Sequence, residues 1–306
     1  MLLRNLRYLV ALAREGHFAR AAQTCDVTQP TLSAGIKQLE EEMGLLLVRR
    51  GQRFEGLTSE GERVLGWARR ILADAESLEQ EASELRGGLI GRLRIGAIPV
   101  TLPMLAYVTE PFTSRHPGVT LTIFSLNSAE IQRGLDDFSL DAGVTYLDNE
   151  PLAHVRTVPL YREQFYLFVP GGHPLVGRTS VSWKEAAAER LCLLTPDMQN
   201  RRIINARFQA AGVMPSPALE TNSVLTLWAH VRAGEFCSLL PHPFVHFFGP
   251  VEEVVAIPLE HDAHEFTIGL VVPDRDPLTP GARELLRLSG SVRLPAALGG
   301  GRASAR

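Results

Sequence analysis

Residues 18–39 read FARAAQTCDVTQPTLSAGIKQL, and this stretch decides the fold of the amino-terminal part of the chain. It holds two short helical patterns separated by a turn. In the first, Phe18, Ala21 and Ala22 share one face while Arg20 and Gln23 point away. In the second, Leu32, Ile36, Leu39 and Met43 recur at helical spacing and make one apolar stripe. The opposite face is left with Gln29, Thr31, Ser33, Ala34, Lys37 and Gln38. Short hydrogen-bonding side chains and one cation are the chemistry of a helix that reads base edges and phosphates. Thr28 suits a helix cap, and Pro30 is tolerated in a first turn because its missing N–H would have no intrahelical partner. The element is a helix-turn-helix, with Gln29, Thr31, Ser33, Lys37 and Gln38 as candidate DNA contacts.

Outward from it, Leu3, Leu6, Val10 and Ala13 predict a preceding helix. After it, Gly44 ends the helical pattern, and Leu45 to Thr58 reads as two extended pieces around a glycine-bearing turn, a wing. Its Arg50 and Arg53 are placed for phosphates or an adjacent minor groove. A solvated turn with stray charge is the plainer alternative. From Thr58 a single long helix is expected to about Gly87-Gly88, with Val64, Ile71, Leu78 and Leu85 on one heptad position and Ala68, Ala75, Ala82 and Leu89 on the other. Neither flanking segment offers a partner of matching length, so this helix is expected to pair with its twin in a second subunit. Two recognition helices held at a fixed separation can then meet two half-sites.

The chain resembles the LysR-type family of bacterial transcriptional regulators, on Phe18-x-Arg20-Ala21-Ala22 followed by Val27-Thr28-Gln29-Pro30-x-Leu32-Ser33-x-x-Ile36-x-x-Leu39-Glu40. Two positions depart from the family pattern. His17 stands where a Ser or Thr cap is usual, and Ala34-Gly35 where a longer polar pair, often Arg-Gln, is common, which removes a base or phosphate contact. The resemblance implies three parts: a winged helix-turn-helix over 1–58, a linker and dimerisation helix over 59–88, and an α/β effector-binding domain over 89–290. That last domain would be two-lobed, similar to the periplasmic solute-binding proteins. Its first lobe would cover about 92–161 and 266–290 and its second about 162–265, with a flexible tail at 291–306. Promoter DNA, a small effector such as an organic acid, a second copy in a dimer or tetramer, and RNA polymerase are the implied partners. No cofactor and no metal are expected.

Composition agrees with that layout. The 306 residues carry 45% hydrophobic and 21% charged residues, an ordinary globular balance. A net charge of −3 confines DNA binding to a local surface. No apolar run approaches a membrane span, and arginines interrupt MLLRNLRYLVALAREG where a signal peptide keeps an uncharged core, so the cytoplasm is the expected compartment. Cys25, Cys192 and Cys237 form neither a disulfide framework nor a CxxC metal signature. Cys25 in the helix-turn-helix turn reads as a small buried hydrophobe in preference to one half of an oxidant-sensing pair.

Beyond Gly91, Arg92 to Gly96, Val119 to Phe124 and Asp141 to Val144 read as strands alternating with helices, which implies a mostly parallel sheet. Around Val158 to Arg162 the chain is expected to cross to the second lobe, with strands at Gln164 to Pro170, Leu191 to Leu194 and Phe236 to Leu240. A return near His264 to Val272 and a helix over Ala282 to Leu288 complete the pattern. Ligands of such sheets collect at strand carboxyl ends, where helix amino termini present free N–H groups. Four loops qualify: Val100-Thr101, Asn127-Ser128, Thr195 with Gln199, and Asn222-Ser223. Each could equally be a helix cap; their convergence on one cleft is what the resemblance adds, with Thr101, Ser128, Thr195 and Asn222 foremost. Hydroxyls and helix amino termini favour an anionic or neutral polar effector, to which Arg201 and Arg202 could add charge. An enzyme would need a paired nucleophile and base or a metal cluster. The candidates, His242 with His246 and His261 with His264, lack an HExxH pattern and read better as turn and edge histidines. A solute carrier is disfavoured by the attached helix-turn-helix.

Overall fold

The computed structural model describes residues 1–50, 54–248, 252–260, 265–291 and 295, with the backbone alone at Arg50 and Phe248. The chain divides into two compact units, residues 1–89 with 136–139 and residues 90–135 with 140–306.

In the first unit, helices α1 (Leu3–Glu15), α2 (Phe18–Thr24) and α3 (Gln29–Met43) precede a hairpin of β1 (Val48–Arg50) and β2 (Phe54–Leu57), and α4 (Ser59–Glu84) follows. The apolar stripes meet as their spacing requires: Leu6, Leu9 and Leu12 of α1 pack with Ala21, Leu32, Ile36 and Leu39, all at most 1% exposed. Val48 pairs antiparallel with Leu57, forming the wing. The α4 helix is capped by Thr58, whose Oγ1 accepts from Gly61 N at 2.9 Å and donates to Leu46 O at 2.6 Å. The heptad seam divides. Ala68 is buried and Val64 and Ile71 pack on this unit's own core, so the amino-terminal half of α4 does have a partner within the chain, contrary to the expectation from sequence. Farther along, Leu78 and Leu85 are 71% and 82% exposed. The helix also ends earlier than expected, at Glu84, because Ser83 Oγ turns to donate to Gly88 O at 2.7 Å.

In the second unit the elements are β3 (Gly91–Ala97), a 3-10 turn (Pro99–Leu105), α5 (Ala106–Arg115), β4 (Val119–Ser125), α6 (Ser128–Asp136), β5 (Ala142–Tyr146), β6 (Val155–Glu163) and β7 (Phe165–Pro170). There follow α7 (Trp183–Ala187), β8 (Cys192–Leu194), α8 (Gln199–Ala210), β9 (Leu219–Thr221), α9 (Val224–Arg232), β10 (Ser238–Pro241), α10 (Pro243–Phe248), β11 (Val254–Pro258), β12 (Phe266–Pro273) and α11 (Pro280–Ser289). The first lobe is a five-stranded sheet in the order β4-β3-β5-β12-β6. The second carries a three-stranded sheet, β10-β7-β11, and the pair β8-β9. The expectation of a mostly parallel sheet holds only for β3, β4, β5 and the β8-β9 pair. Strand β12 runs antiparallel to both its neighbours, and β7 is antiparallel to β10 and β11. The crossing between lobes is also displaced. Residues 155–163 stay in the first lobe as β6, because the returning β12 pairs with them along their whole length, and the chain crosses at Gln164. The predicted tail at 291–306 lies outside the described residues except for 291 and 295.

Candidate functional site

The reading face of α3 is built by its burial stripe. Gln29, Thr31, Lys37 and Gln38 are exposed and Ser33 is half-buried. Thr28 caps the helix, its Oγ1 accepting from Thr31 N at 3.4 Å. Three of the five candidate contacts are engaged within the chain: Thr31 Oγ1 lies 2.8 Å from Thr28 Oγ1, Lys37 pairs with Glu41 at 3.5 Å, and Gln38 donates to Glu42 at 3.0 Å. Among the described residues, none bonds to the side chains of Gln29 or Ser33. Arg53 and the side chain of Arg50 lie outside the described residues.

Position 35 corrects the reading of the Ala34-Gly35 pair. Gly35 is buried, and a Cβ there would stand 2.6 Å from Tyr8 Cδ2 and 2.9 Å from Asn5 Oδ1. Glycine lets α3 approach α1 this closely, and only Ala34 of the pair is at the surface. His17 performs the capping that Ser or Thr would, its Nδ1 accepting from Ala19 N at 3.1 Å. Sequence reasoning gave Glu40 no task beyond the motif. It is 6% exposed, and its Oε1 accepts from Leu47 N at 2.9 Å and Val48 N at 3.1 Å, fixing the wing to the end of the recognition helix.

In the second unit the loops at the carboxyl ends of β3, β4, β8 and β9 enclose a cavity of about 720 Å³ between the lobes. Of the sequence-predicted effector residues, Asn127, Asn222 and Ser223 line it. Val100, Thr101, Ser128, Thr195 and Gln199 do not. Val100 and Thr101 are 2% and 0% exposed, and the Thr101 hydroxyl donates to Ile98 O at 2.9 Å, so the 3-10 turn points both inward. Ser128 Oγ accepts from Arg202 Nη2 at 3.3 Å. Gln199 is committed to the lobe seam: its Oε1 accepts from Thr145 Oγ1 at 3.0 Å and its amide donates to Asn149 O. Arg201 is buried and bonds Leu194 O and Glu220, each at 2.7 Å, while Arg202 bonds Glu150 and Asp197 O.

Two acidic cavity residues escaped the sequence reading. Glu130 accepts from Asn127 N at 2.9 Å while Asn127 Oδ1 accepts from Glu130 N at 2.9 Å, a reciprocal box readable from the Asn-x-x-Glu spacing. Asp197 Oδ2 accepts from Asn127 Nδ2 at 3.1 Å across the lobes. The nearby Thr195 hydroxyl, which stops short of full hydrogen-bond geometry, and then the Asn127 amide hold the Asp197 carboxyl below its ordinary value. The rest of the lining is largely apolar, including Leu102, Met198, Val224 and Phe244, and among the described residues no Lys or Arg lines the cavity. A ligand in the cavity would therefore meet carboxylates and amide and hydroxyl groups from the described lining.

In the core of the second unit Asn200 Nδ2 donates to Tyr146 Oη at 3.0 Å, and Tyr146 donates to the fully buried Glu163. Burial, reinforced by the charge of Asp148, pushes the Glu163 carboxyl up to about 8. At the crossing residue, Gln164 N donates to His242 Nδ1 at 3.2 Å and Gln164 O accepts from His242 N at 2.8 Å. His242 is thus the turn histidine its sequence suggested, and burial lowers its basicity. His261 and His264 lie outside the described residues.

Residues 3–62 match the family model of bacterial regulatory helix-turn-helix proteins of the lysR family, and residues 86–292 match that of the LysR substrate binding domain. The chain belongs to the LysR family. It is a DNA-binding transcriptional regulator with an effector-binding domain, and not an enzyme. The DNA-binding transcriptional dual regulator OxyR of Escherichia coli K12 is 32% identical over 279 residues, 91% of each chain. The SDS degradation transcriptional activation protein of a Pseudomonas strain is 38% identical over 58% of each. Among solved structures, a full-length OxyR variant from Pseudomonas aeruginosa superposes with a TM-score of 0.73 at 28% identity, over 97% of this chain and 99% of that one. Full-length CbnR bound to its target DNA has the same fold, with a TM-score of 0.66 at 22% identity over 94% and 100% of the two chains. Among the described residues no helix is long and apolar enough to cross a membrane.

Proposed function

We propose that this LysR-type regulator reads promoter DNA as a homodimer, or a dimer of dimers, through Gln29 and Ser33 of α3, and that a small ligand in the interlobe cavity sets its activity. Residues 1–58 would bind DNA, 59–88 would carry the pairing helix and 89–290 would receive the ligand. Exposed Leu78 on α4 and Leu85 just past its end support pairing through the carboxyl-terminal half of that helix. Ligand binding shifts regulation only where it binds one lobe arrangement more tightly than another.

The cavity lining carries this reading. Two carboxylates, with Asn127, Asn222 and Ser223, in a chamber that is mostly apolar suit an apolar body with a neutral or cationic hydrogen-bond donor. The OxyR relatives bring a second reading, since several are named hydrogen peroxide-inducible genes activators. A peroxide-reading thiol needs thiolate character and access. Cys192 and Cys237 are 0% and 2% exposed, and burial pushes their thiols up to about 11 and about 12. These two cysteines therefore favour a bound ligand over their own oxidation as the signal.

Footprinting of the full-length protein on the DNA upstream of its own gene tests the DNA half of the proposal. Wild-type protein should protect paired half-sites, and Gln29→Ala with Ser33→Ala should lose about tenfold or more in affinity, since one good base contact is worth about 1–3 kcal/mol. Unchanged affinity in the double variant would remove this face as the reader.

A further inference from the structure

The second lobe brings together three side chains that stand far apart in sequence and take no part in the cavity. One donor atom from each of His173, Glu189 and Cys237 lies within 4.8 Å of the other two. His173 Nε2 is 3.2 Å from Glu189 Oε2. In a tetrahedral zinc site the bond lengths place neighbouring N, O and S donors roughly 3.3–3.6 Å apart. The imidazole and carboxylate already stand close to that spacing, and the thiol needs a shift of at most about 1.5 Å.

The backbone holds the three in register. Cys237 N donates to Arg190 O and Cys237 O accepts from Cys192 N, both at 2.9 Å, which locks the cysteine against the segment just after Glu189. The turn bearing His173 is closed by His173 N donating to Pro170 O at 2.9 Å. Access is one-sided: the side chains of His173 and Glu189 are 17% and 25% exposed, and Cys237 forms the floor at 2%. Three protein ligands with a solvent-facing fourth position make an open site. A mixed thiolate, imidazole and carboxylate set selects zinc-class ions, whereas magnesium and calcium take oxygen donors.

We propose that His173, Glu189 and Cys237 form a binding site for a zinc-class divalent cation on the second lobe, separate from the effector cavity. The Cys237 thiol gives its proton to solvent as the sulfur–metal bond forms. His173 Nδ1 now accepts from Leu175 N at 3.3 Å, so the ring proton sits on Nε2. Coordination through Nε2 moves that proton to Nδ1 and returns the Leu175 N–H to water. Because the thiol must give up its proton to bind the ion, affinity climbs with pH and one proton leaves per ion bound.

Cobalt(II) titration of the full-length, reduced protein tests the site. One equivalent should produce the near-ultraviolet thiolate-to-cobalt absorption and the visible bands of a tetrahedral ion, and one equivalent of zinc should bleach both. Cys237→Ser should abolish the thiolate absorption, and Cys192→Ser should retain it. Glu189→Gln, which leaves the core untouched, should weaken binding by more than the roughly tenfold lost with an outer-shell partner. Absence of the thiolate absorption in the wild type, its survival in Cys237→Ser, or undiminished affinity in Glu189→Gln would each overturn the assignment.

Discussion

Replacing Glu40 with alanine should loosen the wing from the recognition helix. The carboxylate accepts the N–H groups of Leu47 and Val48 at 2.9 and 3.1 Å, and those two residues are 0% and 3% exposed. Hydrogen bonds to a charged acceptor contribute about 1.5–3 kcal/mol each, so the pair is worth about 3–6 kcal/mol. Water entering the space left by truncation can recover part of this, leaving a net loss of about 3 kcal/mol. For a unit of this size that corresponds to a fall of about 10–20 °C in its unfolding midpoint. Glu40→Gln keeps an oxygen able to accept both N–H groups and loses only the charge assistance, about 1 kcal/mol. Calorimetry of the full-length protein reads the first transition, and hydrogen exchange reads the Leu47 and Val48 amides directly. A Glu40→Ala protein within about 1 kcal/mol of wild type, or with unchanged exchange at both amides, would refute the clamp.

Three further outcomes follow from the same geometry. Gly61→Ala places a Cβ 2.0 Å from Leu47 O, so it should destabilise the first unit in a melting experiment even though alanine is the better helix former by about 1 kcal/mol. Glu163 is raised from 4.5 to about 8 in the folded chain, so the native state holds the proton that the unfolded chain gives up. Stability should then fall as pH rises between those values, by up to about 1.4 kcal/mol per pH unit, and flatten above about 8; denaturant titrations of Glu163→Gln across that range should lack the slope. Asp197→Asn removes the charge that favours a cationic or donor ligand and should weaken the effector response in a reporter assay while leaving operator affinity unchanged.

The helix-turn-helix was legible because its information is local. Capping at Thr28, the Leu32-Ile36-Leu39 stripe and the glycine stop at Gly44 all act within a few turns of helix. At Gly35 the limit is the opposite one: what crowds a side chain there is Tyr8 on another helix, which the pattern of α3 does not contain. The same limit governed the second unit. Loops at strand ends could be named from pattern, and Asn127, Asn222 and Ser223 do line the cavity. Whether a hydroxyl points into a cleft or back to its own turn, as at Thr101, depends on one turn of backbone that periodicity does not specify. Charge in the cavity came from Asp197 and Glu130, which hydrogen-bonding loops conceal among ordinary capping residues. The long β6 strand was invisible until its partner was known, since β12 lies far along the chain.

That partnership bears on how the protein is made. Strand β6 sits at the edge of the five-stranded sheet, and β12 is its neighbour there. On a ribosome, residues 155–163 emerge well before Phe266, and the whole second lobe is synthesised in between. The first lobe cannot close until that inserted lobe has been delivered, whereas the helix-turn-helix, whose contacts are local in sequence, has everything it needs at the outset. Translation thus yields a DNA-reading head before its regulatory body is complete, and the interval leaves the β5 and β6 edges open to wrong partners in the crowded cell.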